Sequence, residues 1–297
     1  MAARLLSERF WSEWLTDEDP ILYHYTDAVG LCGIVESTQL WLTSSAYLND
    51  ATENQHAGVL LRRALHKIRA RDSGEREAAF YDYLDVVFHN AQSSPRLDID
   101  KQTFVCCFST RKDSLSQWRG YGGGEGGFSI GFKASALWDL KHSPALEPGF
   151  WLLPCDYDED RLTQLNQSFI EEALRECLDD NPNASDADIA AMMAIGAQWI
   201  GAAIKHPAFS DEKEWRLIYY GFGFRKPKIS YRGNSTITPY TKFEFGSAEN
   251  LRKAIAEVWV GPQRHPELAA SALKDFLSSK LDGDVLVKVS DTPYRRL

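Results

Sequence analysis

The chain has 297 residues, 44% hydrophobic and 12% aromatic, which is enough apolar material for a large core and excludes global disorder. A formal net charge of −9 excludes the bulk positive field that would hold a polyanion, so non-specific nucleic-acid binding is disfavoured. The five cysteines are odd in number and lack a C-x-x-C spacing, which argues for buried reduced thiols in a cytoplasmic protein, and no apolar run is long enough to span a bilayer.

Taken in chain order, Phe10 to Leu15 reads as a short amphipathic helix within residues 1–19, stopped by the acidic cluster ending at Pro20. Ile21 to Tyr25 reads as a buried strand, with Thr26 or Asp27 capping a helix from Ala28 to Glu36. Leu40 to Thr43 is a second strand. Helical spacing over Thr52 to Ala70 and Glu75 to Asn90 predicts a helical insertion across 52–95, with Arg62 and Arg63 as solvated surface charge. Thr103 to Phe108 and Phe128 to Phe132 are strands, the latter entered through a loop from Gly120 to Gly127. Trp151 to Tyr157 is a further strand candidate. The stretch 159–206 has helical period broken at Asp179 to Asn183, so an inserted αα-hairpin is expected. Trp215 to Tyr220 returns to strand, Val258 to Val260 runs into Gly261 and Pro262, a helix from Pro266 to Leu281 follows, and Val285 to Val289 closes the sheet. No linker divides the sequence, so 1–297 reads as a single domain.

Three segments put polar groups where a pure core would not. His24 and Thr26 stand at a strand end, facing one side. Ser109 to Tyr121 is polar and leads into glycines. Gly122, Gly124 and Gly127 satisfy G-x-G-x-x-G, but the loop precedes a strand and not a helix, so the Rossmann context is missing. Such a loop is either a tight turn or a place where a ligand approaches the backbone. The third segment, Asp211 to Leu217, sets Glu212, Glu214 and Arg216 on one face of a strand, as a solvated edge or as carboxylates aimed at a ribose. Asn49, Asp50 and Glu53 have the chemistry of a helix-capping loop or of a Mg²⁺ site. H-E-x-x-H, Gly-x-Ser-x-Gly and a P-loop lysine are absent, which argues against a zinc protease, an α/β-hydrolase and a Walker NTPase.

The chain resembles a bacterial family, the domain of unknown function 2971. The likeness rests on L-Y-H-Y-T at Leu22 to Thr26, L-W-L-T-S-S…N-D-x-x-E from Leu40 to Glu53, and C-F-S…D-S-L-S-Q-W-R-G-Y-G from Cys107 to Gly122. G-x-S-I-G-F ending at Phe132, E-x-E-W-R-L at Glu212 to Leu217 and V-x-V-G-P at Val258 to Pro262 complete it.

More distantly, the order of His24, Tyr121 and Glu214 is similar to that of ADP-ribosyltransferases. That resemblance implies an α+β fold on a split, mainly antiparallel sheet with helical insertions, and mono-ADP-ribosyl transfer from NAD to a nucleic-acid or protein acceptor without a metal. It makes Glu214, His24 and Tyr121 the catalytic set. His24 and Thr26 would hold the adenosine ribose, Tyr121 would pack on nicotinamide, and Gln117 and Arg119 would contact phosphate or acceptor. Tyr23, Ser109, Trp118 and Gly122 would complete the NAD groove, Glu212 would be the second carboxylate, first member of an E-x-E pair with Glu214, and with Arg216, Asn49 and Asp50 would face the acceptor. Glu214 would stabilise positive charge on the ribose as the glycosidic bond breaks. Tyr25 departs from the small residue usual between the histidine and the hydroxyl. A toxin or phage-defence role with a cognate inhibitor accords with the family type. The alternatives are a nucleotide- or nucleic-acid-binding module without chemistry, and a metal-dependent nuclease using Asn49, Asp50, Glu53 and His24.

Overall fold

Chain-order elements of the computed structural model are β1 (Ile21–Thr26), α1 (Ala28–Ser37), β2 (Gln39–Ser44), α2 (Glu53–Arg69), β3 (Thr103–Ser109), α3 (Leu115–Tyr121), β4 (Phe128–Lys133) and α4 (Ala134–Lys141). There follow β5 (Phe150–Pro154), α5 (Glu159–Asp180), a 3-10 turn (Pro207–Glu212), β6 (Glu214–Tyr220), β7 (Ser230–Gly233), β8 (Ile237–Glu244), α6 (Ala248–Ala254), β9 (Ile255–Val260), α7 (Pro266–Lys280) and β10 (Leu286–Val289). The structure describes residues 19–48, 53–71, 81–86, 89, 103–123, 126–141, 150–180, 185, 201–220, 228–233 and 236–293. The helix expected before residue 19, Asn49 and Asp50, much of 72–102 and the second arm of the expected hairpin at 186–200 lie outside them.

The strands form one ten-stranded sheet in the order β10-β9-β4-β1-β3-β2-β8-β7, with β6 pairing both β3 and β5. All named strand pairs are antiparallel except β9 with β10. The expectation of a mixed helix and strand protein on a mainly antiparallel sheet is met.

Central strand β3 reads T-F-V-C-C-F-S because both its faces are covered. Phe104, Cys106 and Phe108 enter the main core with Leu22, Leu40 and Leu217, roofed by Leu31 and Ile34 of α1, Leu251 of α6 and Leu273 and Leu277 of α7. Burying each such large side chain contributes roughly 1.5–3 kcal/mol. On the other face Val105 packs with Ala202 and Ile218, while Tyr23 and Tyr25 pack with Trp118 of α3 and Trp259 of β9. Helices α2 and α5 pack together, and Leu60, Leu162 and Ile204 form their shared cluster.

Local chemistry explains the start of α1. The Asp27 carboxylate accepts the Gly30 amide at 2.7 Å, an N-cap that satisfies one orphan donor of the first turn. A Cβ at Gly30 would stand 2.0 Å from Thr26 Oγ1, so the glycine makes room for the threonine.

Three sequence readings are corrected. Tyr121 does not lie in the glycine loop: the chain stays helical from Leu115 to Tyr121 because buried Trp118 anchors that turn, and Gly122 is its C-cap. Glu212 is not on the strand with Glu214 and Arg216, since it closes the 3-10 turn and Lys213, at φ 45°, turns the chain before β6 begins. The Glu214–Arg216 pair is buried and is not a solvated edge. Strands β7 and β8 were not foreseen; short β7 is largely exposed, so it carries little alternation to read.

The glycine turn into β4 is sterically enforced. Gly127 has φ +65°, and a Cβ there would stand 2.4 Å from Gly122 Cα and 2.6 Å from the Thr26 carbonyl oxygen. Gly127→Ala is expected to cost at least about 1–3 kcal/mol, read as a lower urea midpoint. An unchanged midpoint would show that the turn has room that this packing denies.

Candidate functional site

The site arises where the sheet divides. Strand β2 pairs with β3 at Phe104 and Val105, and β1 pairs with the same edge of β3 only at Ser109. Between them the edge of β3 lacks a strand neighbour among the described residues, and the His24 ring takes that place, with Nδ1 2.9 Å from the Cys107 carbonyl oxygen. Burial lowers the His24 pKa and the Cys107 carbonyl opposes this only in part, so the imidazole is neutral at neutral pH. A neutral ring bonded this way donates from Nδ1 and presents Nε2 as an acceptor.

A narrow cleft of about 50 Å³ opens at this division. Its walls are His24 with Tyr23 and Tyr25 from β1, Cys107 and Phe108 from β3, Gln117 and Tyr121 from α3, Glu212 from the 3-10 turn, and Glu214 from β6. Six of the residues singled out in the sequence for this site, Tyr23, His24, Gln117, Tyr121, Glu212 and Glu214, thus meet although they come from distant segments. Tyr121 is the most exposed of them, at 37%. Its phenol is pushed above the ordinary range by burial first, and by the charges of Cys107, Glu212 and Glu214 next, so it remains a neutral donor.

The other candidates fall elsewhere. Thr26 packs against α1. Ser109 Oγ donates to the Glu212 carbonyl at 2.6 Å and accepts the Arg111 amide at 3.0 Å, so it fixes the turn beside the cleft. Trp118 is core, its Nε1 donating to Asp113 at 2.7 Å. Gly122 is buried where a Cβ would meet the Trp118 carbonyl at 2.6 Å, and Arg119 is exposed outside the cleft lining. Tyr23 touches the cleft but sends its hydroxyl to Glu257, 2.8 Å away.

Behind the two carboxylates lies a buried ionic cluster. Arg216 Nε donates to Glu214 Oε1 at 2.7 Å, Nη2 to Oε2 at 3.3 Å, and Nη1 to the Ala202 carbonyl at 2.9 Å. Lys205 Nζ donates to Glu212 Oε2 at 2.6 Å and also to Glu214 Oε2. The Cys107 thiol favours the ionised form of Glu214 as well. Burial by itself raises the Glu214 pKa, but the charges of Arg216 and Lys205 outweigh it and hold the carboxyl down to about 2. Burial works against the Lys205 ammonium too, and the Glu214 charge reverses the balance and raises its pKa.

Lys205 is the member of this cluster that the sequence did not reveal. It stands in A-I-K-H-P at the end of a helical stretch, where a lysine carries no local signal. Tyr157, whose hydroxyl accepts the Glu214 amide at 2.9 Å, was likewise unmarked. Among the described residues no group of three or more His, Cys, Asp or Glu is placed to hold a metal ion, and no helix among them is long and apolar enough to cross a membrane.

No curated protein and no solved structure matches the chain. A family model does, from the helix that carries Gln117 and Tyr121 to the strand that carries Glu214 and Arg216, and so takes in one wall of the cleft and the ionic cluster behind the other. That match, over residues 117–217, is to the family described as Protein of unknown function (DUF2971).

Proposed function

We propose that the cleft binds NAD and that the protein transfers ADP-ribose from it to a nucleic-acid or protein acceptor. The observation that carries this reading is the meeting of His24, Gln117, Tyr121, Glu212 and Glu214 at one opening in a divided sheet. Breaking the bond between nicotinamide and ribose builds positive charge on the sugar, so an ionised carboxylate against the ribose lowers the barrier. Neutral His24 and the Tyr121 hydroxyl offer an acceptor and a donor to sugar hydroxyls and to the nicotinamide amide.

The geometry divides the labour between the carboxylates. Glu214 already receives two donors from Arg216 and one from Lys205, which occupy most of the roughly four lone-pair sites of a carboxylate. Glu212 is less buried, its side chain 22% exposed, and it is the carboxylate presented to a ligand while Glu214 anchors the floor. At about 50 Å³ the opening admits a water-sized group, well below the ~300 Å³ of a small-molecule pocket. Entry of NAD therefore requires the opening to widen, and Tyr121 is the most exposed residue of its wall.

The test is nicotinamide release from NAD, with EDTA present, by wild type, Glu212→Gln and Tyr121→Ala. Release by the wild type and a loss of ~10²-fold or more in Glu212→Gln are expected, because the amide keeps the shape and drops the charge. Wild-type protein that releases none, or a Glu212→Gln variant at full rate, would sink the assignment. The crowding of donors on Glu214 favours a second reading, a nucleotide-binding module without chemistry. It predicts NAD binding by calorimetry without release.

A further inference from the structure

Lys205 lies outside the cleft lining, yet its ammonium touches both carboxylates that line it. The side chain is 6% exposed and rests over the Phe209 ring at 5.1 Å. Because Glu212 and Glu214 oxygens both bond to one nitrogen, they stand within two hydrogen-bond lengths of each other. At that separation two like charges oppose each other strongly unless a cation sits between them.

The backbone that delivers this cation is clamped from two sides. The Lys205 amide donates to the Asp156 carbonyl at 3.1 Å and the Asp156 amide to the Ala203 carbonyl at 2.9 Å, a short parallel bridge beside the end of β5. Neighbouring Ile204 is 1% exposed in the cluster with Leu60 of α2 and Leu162 of α5. Arg216 holds the Ala202 carbonyl from the sheet side. The position of the ammonium is thus set jointly by the helical pair and the sheet.

We infer that Lys205 is the positioning residue of the cleft: anchored by the packing of α2 and α5, it holds Glu212 and Glu214 side by side, facing the opening. The inference rests on the cleft being the working site. It assigns to the helical pair a part in the chemistry of a site that neither helix lines. The groups around Glu214 that bear on its charge are Arg216 on β6, Glu212 on the 3-10 turn, Cys107 on β3, Tyr121 on α3 and Tyr157 after β5. Of these, Arg216 alone is a second cation, and it donates to Glu214 and to the Ala202 carbonyl.

Lys205→Gln decides the matter, because glutamine keeps a hydrogen-bond donor for the carboxylates and removes only the charge. With selective ¹³C labelling of glutamate, the titration midpoint of the Glu214 carboxyl is expected to rise by about one pH unit or more in Lys205→Gln and to return toward the wild-type value in Lys205→Arg. In the nicotinamide-release assay the acid limb of kcat should move upward by a similar interval, with KM for NAD within about twofold, since the ammonium does not face the ligand. A Glu214 titration unchanged in a folded Lys205→Gln protein would overturn the inference. So would a variant changed equally in Lys205→Gln and Lys205→Arg, which is what a purely structural side chain gives. If wild-type protein releases no nicotinamide but the Glu214 midpoint shifts as stated, the NAD reading fails and the role of Lys205 stands.

Discussion

Arg216→Leu is expected to destabilise the fold by about 3–5 kcal/mol, the largest effect of any single change at the site. Arg216 is 1% exposed and Glu214 4%, so the loss of the guanidinium leaves an anion in a dry interior with one of its two cations gone. The Ala202 carbonyl also loses the donor that Nη1 supplies, and with it goes one tie between the sheet and the segment carrying Lys205. Equilibrium unfolding in urea measures the loss as a lower midpoint at unchanged slope. Arg216→Lys should fall between the two, because a point charge cannot reproduce the fork that meets both Glu214 oxygens. A cost below about 1 kcal/mol for Arg216→Leu, the scale of an exposed pair, would show that water reaches this cluster.

Acid should destabilise the protein through the same carboxylate. The folded Glu214 pKa of about 2 lies below its ordinary value of 4.5, so the unfolded chain takes up the proton first as pH falls. The contribution is complete above the unfolded value and is lost progressively between about 4.5 and 2. With about 1.4 kcal/mol for each pKa unit, the amount is on the order of 3 kcal/mol. Urea midpoints taken from neutrality down to about pH 2 should therefore fall steeply within that window. In Lys205→Gln the loss should begin at the same pH but be smaller and end at a higher one, because the folded Glu214 pKa then lies closer to the unfolded value. A midpoint flat through the window would contradict the burial of the ionic cluster.

Much of the architecture could be read from local pattern. Ile21 to Tyr25 and Thr103 to Phe108 are apolar runs of strand length between turn residues, and both are strands within one residue of the expected ends. Asp27 declared the start of α1 through its side chain. The helix at Leu115 to Tyr121 was missed because its signals conflict: Ser114, Ser116 and Gly120 suit a turn, and burial of Trp118 tips the balance. Glu212 and Glu214 were marked by their spacing, though their meeting on one lysine depends on the left-handed turn at Lys213, a conformation that sequence alone leaves unspecified.

By itself, the sequence determined the strands and helices with a clear local pattern, such as β1, α1 and β3, and which polar residues do not belong to a core, because side-chain periodicity and capping chemistry act over a few residues. His24, Tyr121, Glu212 and Glu214 were visible in this way. Tertiary structure alone decided that β1 and β2 share one edge of β3 and leave the gap that His24 fills, that Thr26, Ser109 and Trp118 serve packing and turns, and that Lys205 reaches the carboxylates. These are pairings between residues far apart in the chain, and their energy comes from desolvation and charge that exist only once the segments have met.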